Sequence, residues 1–505
     1  MARSSTPSFI TDVPLIVTSS NEAELLSRFQ AGRQLLNALV DESMVRMELV
    51  RQSEVFKAAK KLPKGKARTT AFSEARAAYR YSDYDLQAYA AHIAKQSGWM
   101  ADKIDAQSQQ KLATRAFQAS EKVLLGRAKK VRYKVPSRFN SMEGKSNKQG
   151  IRWVDNQLVW GKLRLDALIA PENRVMMHGL TSKIKYVRIL KREIHGKRRW
   201  FAQLVCEGLP YQKPANFVSA GIVGLDLNVS NVAYVADSNA GLLPFADKVP
   251  TFEREIGSIQ RQMQRSGRAN NPDNYEADSE GRKGRKSVTK KGKAKKGKRK
   301  WHKSKRYLKL AAKKRELERR KAAYAKSQNR KLVNDILRNG NQIKTENVSV
   351  KGWQKRYGKA ISAKSPGYFQ SELKRKAESA GGSFTQFSTR STALSQTHLT
   401  GEKIKKSLSE RVHHDQSGIV MHRDLFSAFL ARYVDEDQLS LQDAVGQYPG
   451  MESTLLEAWQ RYKQSAKRVS IAESRLAHPP VEQISSDSEK VDQIDNSHEF
   501  GRKVS

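Results

Sequence analysis

A single basic segment limits what this chain can fold into. Between Arg282 and Arg306 it carries 15 Lys or Arg residues and no Asp or Glu. Like charges at this density repel one another and cannot enter an apolar core. We therefore predict that the segment is solvated or paired with phosphate, and that it leads into a helix whose apolar stripe runs from Leu310 to Leu332. The simpler alternative is a solvated linker that enters an ordinary surface helix.

The whole chain is basic as well. Its 505 residues include 94 Lys+Arg and 51 Asp+Glu, a formal net charge of +43. An excess of this size favours nucleic acid over a membrane surface as the partner. The one cysteine excludes a disulfide framework and a Cys-based zinc site. No apolar run is long enough to span a membrane, and the N-terminus lacks a secretory apolar core.

Hydrophobic periodicity divides the N-terminal half into two kinds of structure. Residues 8–17 predict a short strand, and helical spacing with a cap at Asn21 continues to about Lys130. The period then changes to two, which predicts two strands around Asp155-Asn156 and a hairpin that turns at His195-Gly196. This pattern predicts a small antiparallel barrel or sheet.

Three carboxylates occupy unexpected places in apolar segments. Asp226 lies inside an apolar strand, and Glu346 lies in a strand predicted to end at Gly352. Asp424 begins an apolar helix. Because a buried, unpaired carboxylate is costly, each of these residues needs a cation or hydrogen-bond donors nearby. Taken singly, such a residue is more often structural, but together the three would suit two Mg²⁺ ions that cleave a phosphodiester.

The segments around these carboxylates resemble a known family. Residues 221–231 (GIVGLDLNVSN) resemble the first RuvC motif of the TnpB proteins of insertion sequences and of the compact type V CRISPR effectors. Residues 344–348 (KTENV) resemble the second motif, and residues 423–428 (RDLFSA) the third. The resemblance is specific over residues 219–435 and only architectural over residues 1–218.

This resemblance implies a multidomain α+β chain. An RNase H-like (RuvC) nuclease domain would be preceded by a β-barrel wedge domain that a helical recognition lobe interrupts. The implied function is RNA-guided cleavage of DNA, selected by guide pairing and a short flanking motif. Asp226, Glu346 and Asp424 would be catalytic and would hold two Mg²⁺ ions. The implied partners are a guide RNA and double-stranded target DNA, with no membrane.

Further expectations concern location, oligomeric state and domain divisions. The protein would be cytoplasmic in a prokaryote, associated with the nucleoid when bound to DNA, and a monomer is favoured. The predicted divisions are a first wedge strand (1–20), a recognition lobe (21–132), a wedge barrel (133–218), a nuclease domain (219–384) with a basic helical insertion (253–340), a degenerate zinc-ribbon-like subdomain that binds the target nucleic acid (385–421), C-terminal RuvC helices (422–474) and a disordered tail (475–505).

Three basic clusters are candidates for contact with nucleic-acid backbones. They comprise Lys129, Lys130 and Arg132 near the wedge; Lys191, Arg198 and Arg199 around a hairpin turn; and Lys296, Lys298, Arg299, Lys300, Trp301, Lys305 and Arg306 in the basic segment. Trp301 and Tyr307 are interleaved with the third cluster, where they either stack on unpaired bases or pack against helices.

The ribbon departs from the family pattern because it has no cysteine. His398, His413, His414 and Asp415 form the only imaginable substitute set, and their spacing lacks two regular zinc knuckles. We therefore predict that no zinc binds there.

Two other functions stay open at this point. An RNA-guided DNA-binding protein that represses or recruits without cutting would fit the missing ribbon cysteines, and a cleavage assay with Mg²⁺ separates it from a nuclease. A DNA-strand transferase with the same nuclease fold is the other reading. Absence of co-purifying RNA would favour it.

Overall fold

The computed structural model describes residues 6–477, apart from Arg285, Lys298 and Leu408. Nearly all of the predicted disordered tail lies outside the described residues, as does the candidate Lys298. The chain divides into two compact units. Unit 1 comprises Met1–Phe217, Lys248–Arg338 and Ser362–Ser379, and unit 2 comprises Val218–Asp247, Asn339–Ile361 and Ala380–Ser505.

The N-terminal part of unit 1 alternates between strands and helices. It contains β1 (Ser8–Pro14), α1 (Ser19–Gln52), α2 (Glu54–Lys61), α3 (Lys66–Ala78), α4 (Asp83–Gln96), α5 (Trp99–Lys103), α6 (Ala106–Leu124), β2 (Ser141–Glu143), β3 (Ile151–Val154), β4 (Gln157–Trp160), β5 (Leu163–Asp166), α7 (Arg174–Thr181), β6 (Ile184–Ile194) and β7 (Lys197–Glu207).

The remaining elements follow in chain order. They are β8 (Ile222–Leu227), β9 (Asn231–Val235), β10 (Ala240–Pro244), α8 (Glu253–Ala269), β11 (Ser279–Lys283), β12 (Lys286–Lys290), α9 (Lys305–Leu337), β13 (Gln342–Glu346), α10 (Val350–Lys364), α11 (Pro366–Ser379), β14 (Ser383–Phe387), α12 (Thr389–Thr392), β15 (Val412–His414), β16 (Val420–His422), α13 (Arg423–Ala431), β17 (Val434–Asp435), β18 (Gln438–Leu439) and α14 (Leu441–Ala477). Among the described residues, no helix combines the length and the apolar character needed to cross a bilayer.

The strands β1 to β7 of unit 1 form two open sheets. One has the order β1-β7-β6-β2, and the other has the order β3-β4-β5. Both predicted hairpin turns are present, and Asp155, Asn156, His195 and Gly196 all have positive φ, as a two-residue hairpin turn requires.

The prediction of a closed wedge barrel is wrong for the described residues. Among the described residues, a single bridge between Leu15 and Ala167 joins the four-stranded sheet to the three-stranded sheet, and β3 lies beside β6 without pairing with it. On the other side, β2 pairs only with β6, and it does so through three residues. Strands this short leave the two sheets unclosed.

Helices α2 to α6 pack against α1. Leu25, Phe29 and Leu36 in α1 are buried, as their spacing predicts. The cap of this helix is Thr18 rather than the predicted Asn21, because the hydroxyl of Thr18 accepts a hydrogen bond from the Asn21 N–H at 3.2 Å. The helix therefore begins earlier than its apolar pattern indicates.

The basic segment is divided between a hairpin and the start of α9. β11 and β12 pair with each other and with no other strand among the described residues. Ser304 then caps α9 by accepting a hydrogen bond from the Tyr307 N–H at 3.2 Å. The apolar stripe of α9 is buried at Leu332 but exposed at Tyr324. The C-terminal end of this helix is therefore the part that packs into the core.

Unit 2 is built on a mixed sheet with the order β10-β9-β8-β13-β14. β8, β9 and β10 are antiparallel neighbours, whereas β13 runs parallel to both β8 and β14. The core between this sheet, α13 and α14 includes Val235, Phe426, Phe429 and Leu455.

The strand around Glu346 is shorter than its pattern predicts. β13 ends at Glu346 and α10 begins at Val350. The prediction that this strand continues to Gly352 is therefore wrong. The hydroxyl of Ser349 accepts a hydrogen bond from the Gly352 N–H at 3.1 Å, which stabilises a helix start at this point.

We expect Gly224→Ala to destabilise unit 2 by about 2 kcal/mol, since overpacking a close contact costs this much. A Cβ on Gly224 would lie 2.1 Å from the carbonyl oxygen of Ala428 in α13, which a backbone cannot accommodate without moving. Urea unfolding monitored by circular dichroism measures the change. The control is Gly446→Ala in α14, where a Cβ meets nothing within 4 Å. Equal stability of the two variants would contradict the close contact.

Candidate active site

Backbone geometry brings the three carboxylates of unit 2 together. The register of β8 and β13 pairs Leu225 with Thr345, so the next residues, Asp226 and Glu346, lie level on adjacent parallel strands. Asp226 shares a strand face with Gly224, which contacts Ala428. Asp226 lies two residues beyond Gly224 on β8, and Asp424 lies one helical turn before Ala428 on α13. These two steps cover similar distances, so the contact between Gly224 and Ala428 also brings Asp424 close to Asp226.

The charges of these side chains act on one another. Burial, followed by the negative charges of Asp424 and Glu346, raises the pKa of Asp226 well above its ordinary value. Burial likewise raises the pKa of Glu346 to about 7, although the backbone N–H of Leu394 opposes this by donating a hydrogen bond to the carboxylate. When no cation is bound, Asp226 and Glu346 therefore keep their protons at pH values at which exposed carboxyl groups are ionised.

Several neighbours partly compensate the negative charge. The guanidiniums of Arg423 and Arg411 lie 3.7 and 3.8 Å from the carboxylate oxygens of Asp424. Asn228 donates a hydrogen bond of 3.3 Å to Asp226. His422 Nδ1 accepts a hydrogen bond from the Asp424 N–H at 3.2 Å and so fixes the first turn of α13.

Sequence reasoning did not identify these neighbours as part of the site. The sequence could have indicated His422 and Arg423, because they adjoin Asp424 at the start of a helix whose residues are all buried. Arg411 carries none, since it lies outside any regular element of the fold.

The carboxylates fit a hard divalent cation. Asp424 is 1 % exposed, and its Oδ2 has no hydrogen-bond partner among the described residues. An orphaned carboxylate oxygen beside two further carboxylates is the donor set that Mg²⁺ prefers. Asp226, Glu346 and Asp424 are therefore the residues that would hold the metal.

A second buried cluster occupies the region predicted as a degenerate ribbon. The imidazoles of His398 and His413 and the carboxylate of Asp415 offer ligand atoms that all lie within 4.8 Å of one another. His414, the fourth residue of the predicted set, points outward because side chains alternate along β15. The structure therefore assembles three of the four residues.

Asp415 is the centre of this cluster. It accepts hydrogen bonds from His413 Nε2 at 2.9 Å, from the Leu399 N–H at 3.1 Å and from the Ser417 N–H at 3.0 Å. Burial works against its charge, but these donors together hold the pKa of Asp415 below its ordinary value. One carboxylate thus joins the segment around Leu399 to the segment from His413 to Ser417.

The hydrogen bonds assign a tautomer to His413 that disfavours a metal. Burial lowers the pKa of His413, so the ring is neutral, and its Nε2–H faces Asp415. Its Nδ1 then accepts a hydrogen bond from the Lys406 ammonium. If Nε2 bound a metal, the ring proton would move to Nδ1. Nδ1–H and the Lys406 ammonium would then be two donors that face each other without an acceptor. The donor set therefore favours the prediction that no zinc binds.

Most residues of the three predicted basic clusters are exposed. The exposed ones are Lys129, Lys130, Arg132, Arg198, Arg199, Lys296, Arg299, Lys300, Trp301, Lys305 and Arg306. Within the second cluster, Lys191 lies 5.4 Å over the ring of Phe29, and Arg198 pairs with Glu22 at 3.0 Å. These two side chains are already engaged within unit 1, whereas Arg199 projects into solvent.

Comparison with known proteins gives matches only at the level of structure. No protein-family model matches the chain, and no curated protein matches its sequence. The cryo-EM structure of a Cas12f1–sgRNA–target DNA complex matches with a TM-score of 0.42 and 10% identity, covering 86% of this chain and 100% of that chain. A CRISPR-Cas12f ternary complex matches with a TM-score of 0.29 and 10% identity, covering 83% of each chain. Compact type V CRISPR effectors are thus among the solved structures that this chain resembles.

We expect the stability of unit 2 to fall as pH rises from about 5 to about 7 when divalent cations are absent. In this window Glu346 keeps its proton in the folded state and loses it on unfolding, because folding raises its pKa to about 7. The folded state binds more protons, so deprotonation favours unfolding. The loss is about 2 kcal/mol, which allows for the partial exposure of Glu346 to solvent. Urea unfolding in EDTA across this pH range measures it.

The matched variant is Glu346→Gln, which removes the titrating group and is expected to flatten the pH dependence. Added Mg²⁺ is expected to restore stability at the upper pH, because the metal binds the charged carboxylates. Stability that rises with pH in EDTA would contradict the assigned direction.

We expect purified protein to contain no stoichiometric zinc and to keep its unfolding midpoint in a zinc chelator. Asp415→Ala is expected to cost about 3 kcal/mol, because it leaves several buried donors without an acceptor. Elemental analysis and urea unfolding test the two expectations. One zinc ion per chain that Asp415→Ala releases would show that the cluster is a metal site.

Proposed function

We propose that this chain is an RNA-guided DNA endonuclease with an RNase H-like nuclease core in unit 2. The observation that carries the proposal is the convergence of Asp226, Glu346 and Asp424 from two parallel strands and one helix start. Each of the three occupies the matching position of a RuvC motif that the sequence resembles. Hydrolysis would release the 3′-oxygen of the scissile phosphodiester and leave a 5′-phosphate end.

The carboxylates have a defined role in this proposal. Asp226, Glu346 and Asp424 would present oxygen ligands to two Mg²⁺ ions. Bound Mg²⁺ supplies an activated water and neutralises the charge that develops on the phosphodiester. Burial raises the pKa of both Asp226 and Glu346, and at Asp226 the negative charges of Asp424 and Glu346 raise it further. Such a site has a strong affinity for positive charge.

The neighbouring residues position the carboxylates and the substrate. Asn228 orients Asp226, and His422 fixes the start of α13. Arg423 is buried beside Asp424, so it limits repulsion within the cluster. The side chain of Arg411 is 51% exposed, which leaves its guanidinium able to contact a DNA phosphate while it pairs with Asp424.

The exposed basic clusters of unit 1 complete the proposal. Guide RNA and double-stranded target DNA would bind them through backbone phosphates, and guide pairing would supply most of the sequence specificity. Lys129, Lys130 and Arg132 and the exposed residues of the basic segment are the proposed backbone contacts. A short flanking DNA motif would be read by protein side chains.

We expect Asp226→Asn to reduce Mg²⁺-dependent cleavage at least about a hundredfold, because it removes a charged ligand that acts in the transition state. Binding of RNA and of matched target DNA is expected to stay within about twofold, since the substitution is isosteric and changes none of the basic residues. Cleavage of labelled target DNA, programmed with the RNA that co-purifies with the protein, measures the first quantity. Filter binding measures the second.

The control is Asp247→Asn, which changes an exposed carboxylate of the same unit. Undiminished cutting by Asp226→Asn would remove the catalytic assignment. Guided DNA binding by the unaltered protein without any cleavage would instead identify a repressor or recruiter.

A further inference from the structure

A cavity within unit 1 was not anticipated from the sequence. Its volume is about 400 Å³, and it lies between α8, the start of α9 and the segment that precedes α9. Cavities of roughly 300–1,000 Å³ hold small ligands or single groups of larger ones. The lining combines aromatic rings, amide side chains and lysines, which is a combination that suits a nucleobase attached to a phosphodiester chain.

One face of α8 forms the floor. Gln260, Met263, Gln264 and Gly267 recur at helical spacing and all line the cavity. The missing side chain at Gly267 creates the space: a Cβ there would lie 3.5 Å from the Tyr275 hydroxyl and 4.0 Å from the ring of Tyr307. The floor is therefore apolar at its centre and lined with amides along one side.

Three aromatic rings form the walls. Tyr275 and Trp301 meet edge to face with their ring centroids 5.6 Å apart, and Tyr307 rises from the first turn of α9. Trp301 is 41% exposed, so packing within the protein leaves much of its ring surface uncovered. An exposed ring beside a cavity can stack on a base, which is sequence-tolerant because every base has a π-face.

The walls are held by backbone hydrogen bonds from a buried amide. The side chain of Asn271 donates to the carbonyl oxygens of Gly267 and His302, both at 2.8 Å, and accepts from the His302 N–H at 2.6 Å. Asn274 donates to the carbonyl oxygen of Lys300 at 2.9 Å. These bonds fix both ends of the Trp301 segment against α8, so the cavity does not depend on a ligand for its shape.

The polar groups of the cavity are available to a ligand. The amides of Gln260 and Gln264 and the indole N–H of Trp301 have no hydrogen-bond partner in the part of the chain that the structure describes. Each glutamine amide offers both donors and an acceptor, which match the edge of a base. Lys303 and Lys314 also line the cavity and supply positive charge for a phosphate, although Lys314 is shared with Glu318 at 3.5 Å.

We propose that this cavity binds one unpaired nucleobase of a single-stranded nucleic acid. The base inserts between Trp301 and Tyr307 above Gly267, and Gln260 or Gln264 contacts its edge. The inference rests on the proposed function, because an RNA-guided nuclease presents two sources of such a base. One is an unpaired position of the guide RNA, and the other is the displaced DNA strand.

Photo-crosslinking of the full-length protein, freed of co-purifying RNA in high salt, tests the proposal. The probes are single-stranded RNA and DNA of about twelve nucleotides, a length within the range of single-strand binding sites, and each has one 5-iodouracil base. Mass spectrometry locates the crosslinks, and filter binding measures total affinity. We expect crosslinks at Tyr275, Trp301 or Tyr307. The probe with the higher yield identifies the source of the base.

Gly267→Leu is expected to reduce the crosslink yield about tenfold by filling the floor, and to lower total affinity about fivefold or more, because one base no longer stacks on an aromatic ring. The control is Gly257→Leu on the same helix, where a Cβ meets only the end of the Arg261 side chain, at 3.6 Å. Trp301→Ala removes an exposed wall without a large core change, and it is expected to lower the yield as much.

The outcomes separate this inference from the proposed function. Crosslinks elsewhere, or an unchanged yield in both Gly267→Leu and Trp301→Ala, would overturn the cavity assignment and leave RNA-guided cleavage standing. Failure of the unaltered protein to bind either probe would overturn both. Cavity crosslinks in a protein that shows no guided cleavage would support the binding site and remove the nuclease.

Discussion

The close approach of α13 to β8 is the contact on which the candidate active site depends. Gly224 lets the backbone of α13 reach the strand, and the absent side chain sets how far apart the two elements lie. That spacing places Asp424 near Asp226 and Glu346 inside a buried environment. The apolar core around Phe426 and Phe429 holds the helix in place against the repulsion of the carboxylates. Packing free energy thus maintains an electrostatically unfavourable arrangement.

The two units distribute charge in opposite ways. Unit 2 concentrates one buried and two half-buried carboxylates, whereas most of the basic segment of unit 1 is exposed and leads into α9 through the cap at Ser304. A chain that must hold polyanions needs extended, exposed positive charge, and a chain that must bind a divalent cation needs confined negative charge. Buried carboxylates are also shielded from solvent screening, while the exposed lysines are fully subject to it.

Local rules account for the parts of this fold that the sequence predicts well. The turns at Asp155-Asn156 and His195-Gly196 follow from the backbone freedom of those residues, and the helix start at Asp424 follows from apolar spacing. The free-energy cost of burying a carboxylate singles out Asp226 and Glu346 within their apolar segments. Long-range geometry decides the rest. Whether the strands of the predicted wedge form a closed barrel depends on how far β1 and β2 extend. The role of Arg411 depends on the course of a loop, which hydrophobic periodicity does not predict.

Asp415 has a consequence for how the ribbon region responds to its surroundings. A zinc-held ribbon fails when chelators or thiol oxidants remove its metal or its ligands. Here a carboxylate and two imidazoles join the region, so a thiol oxidant has no target in this cluster. Acid does have one: folding lowers the pKa of Asp415, and its contribution to stability is lost as pH falls through the folded-state value. The stability of this region therefore depends on proton concentration.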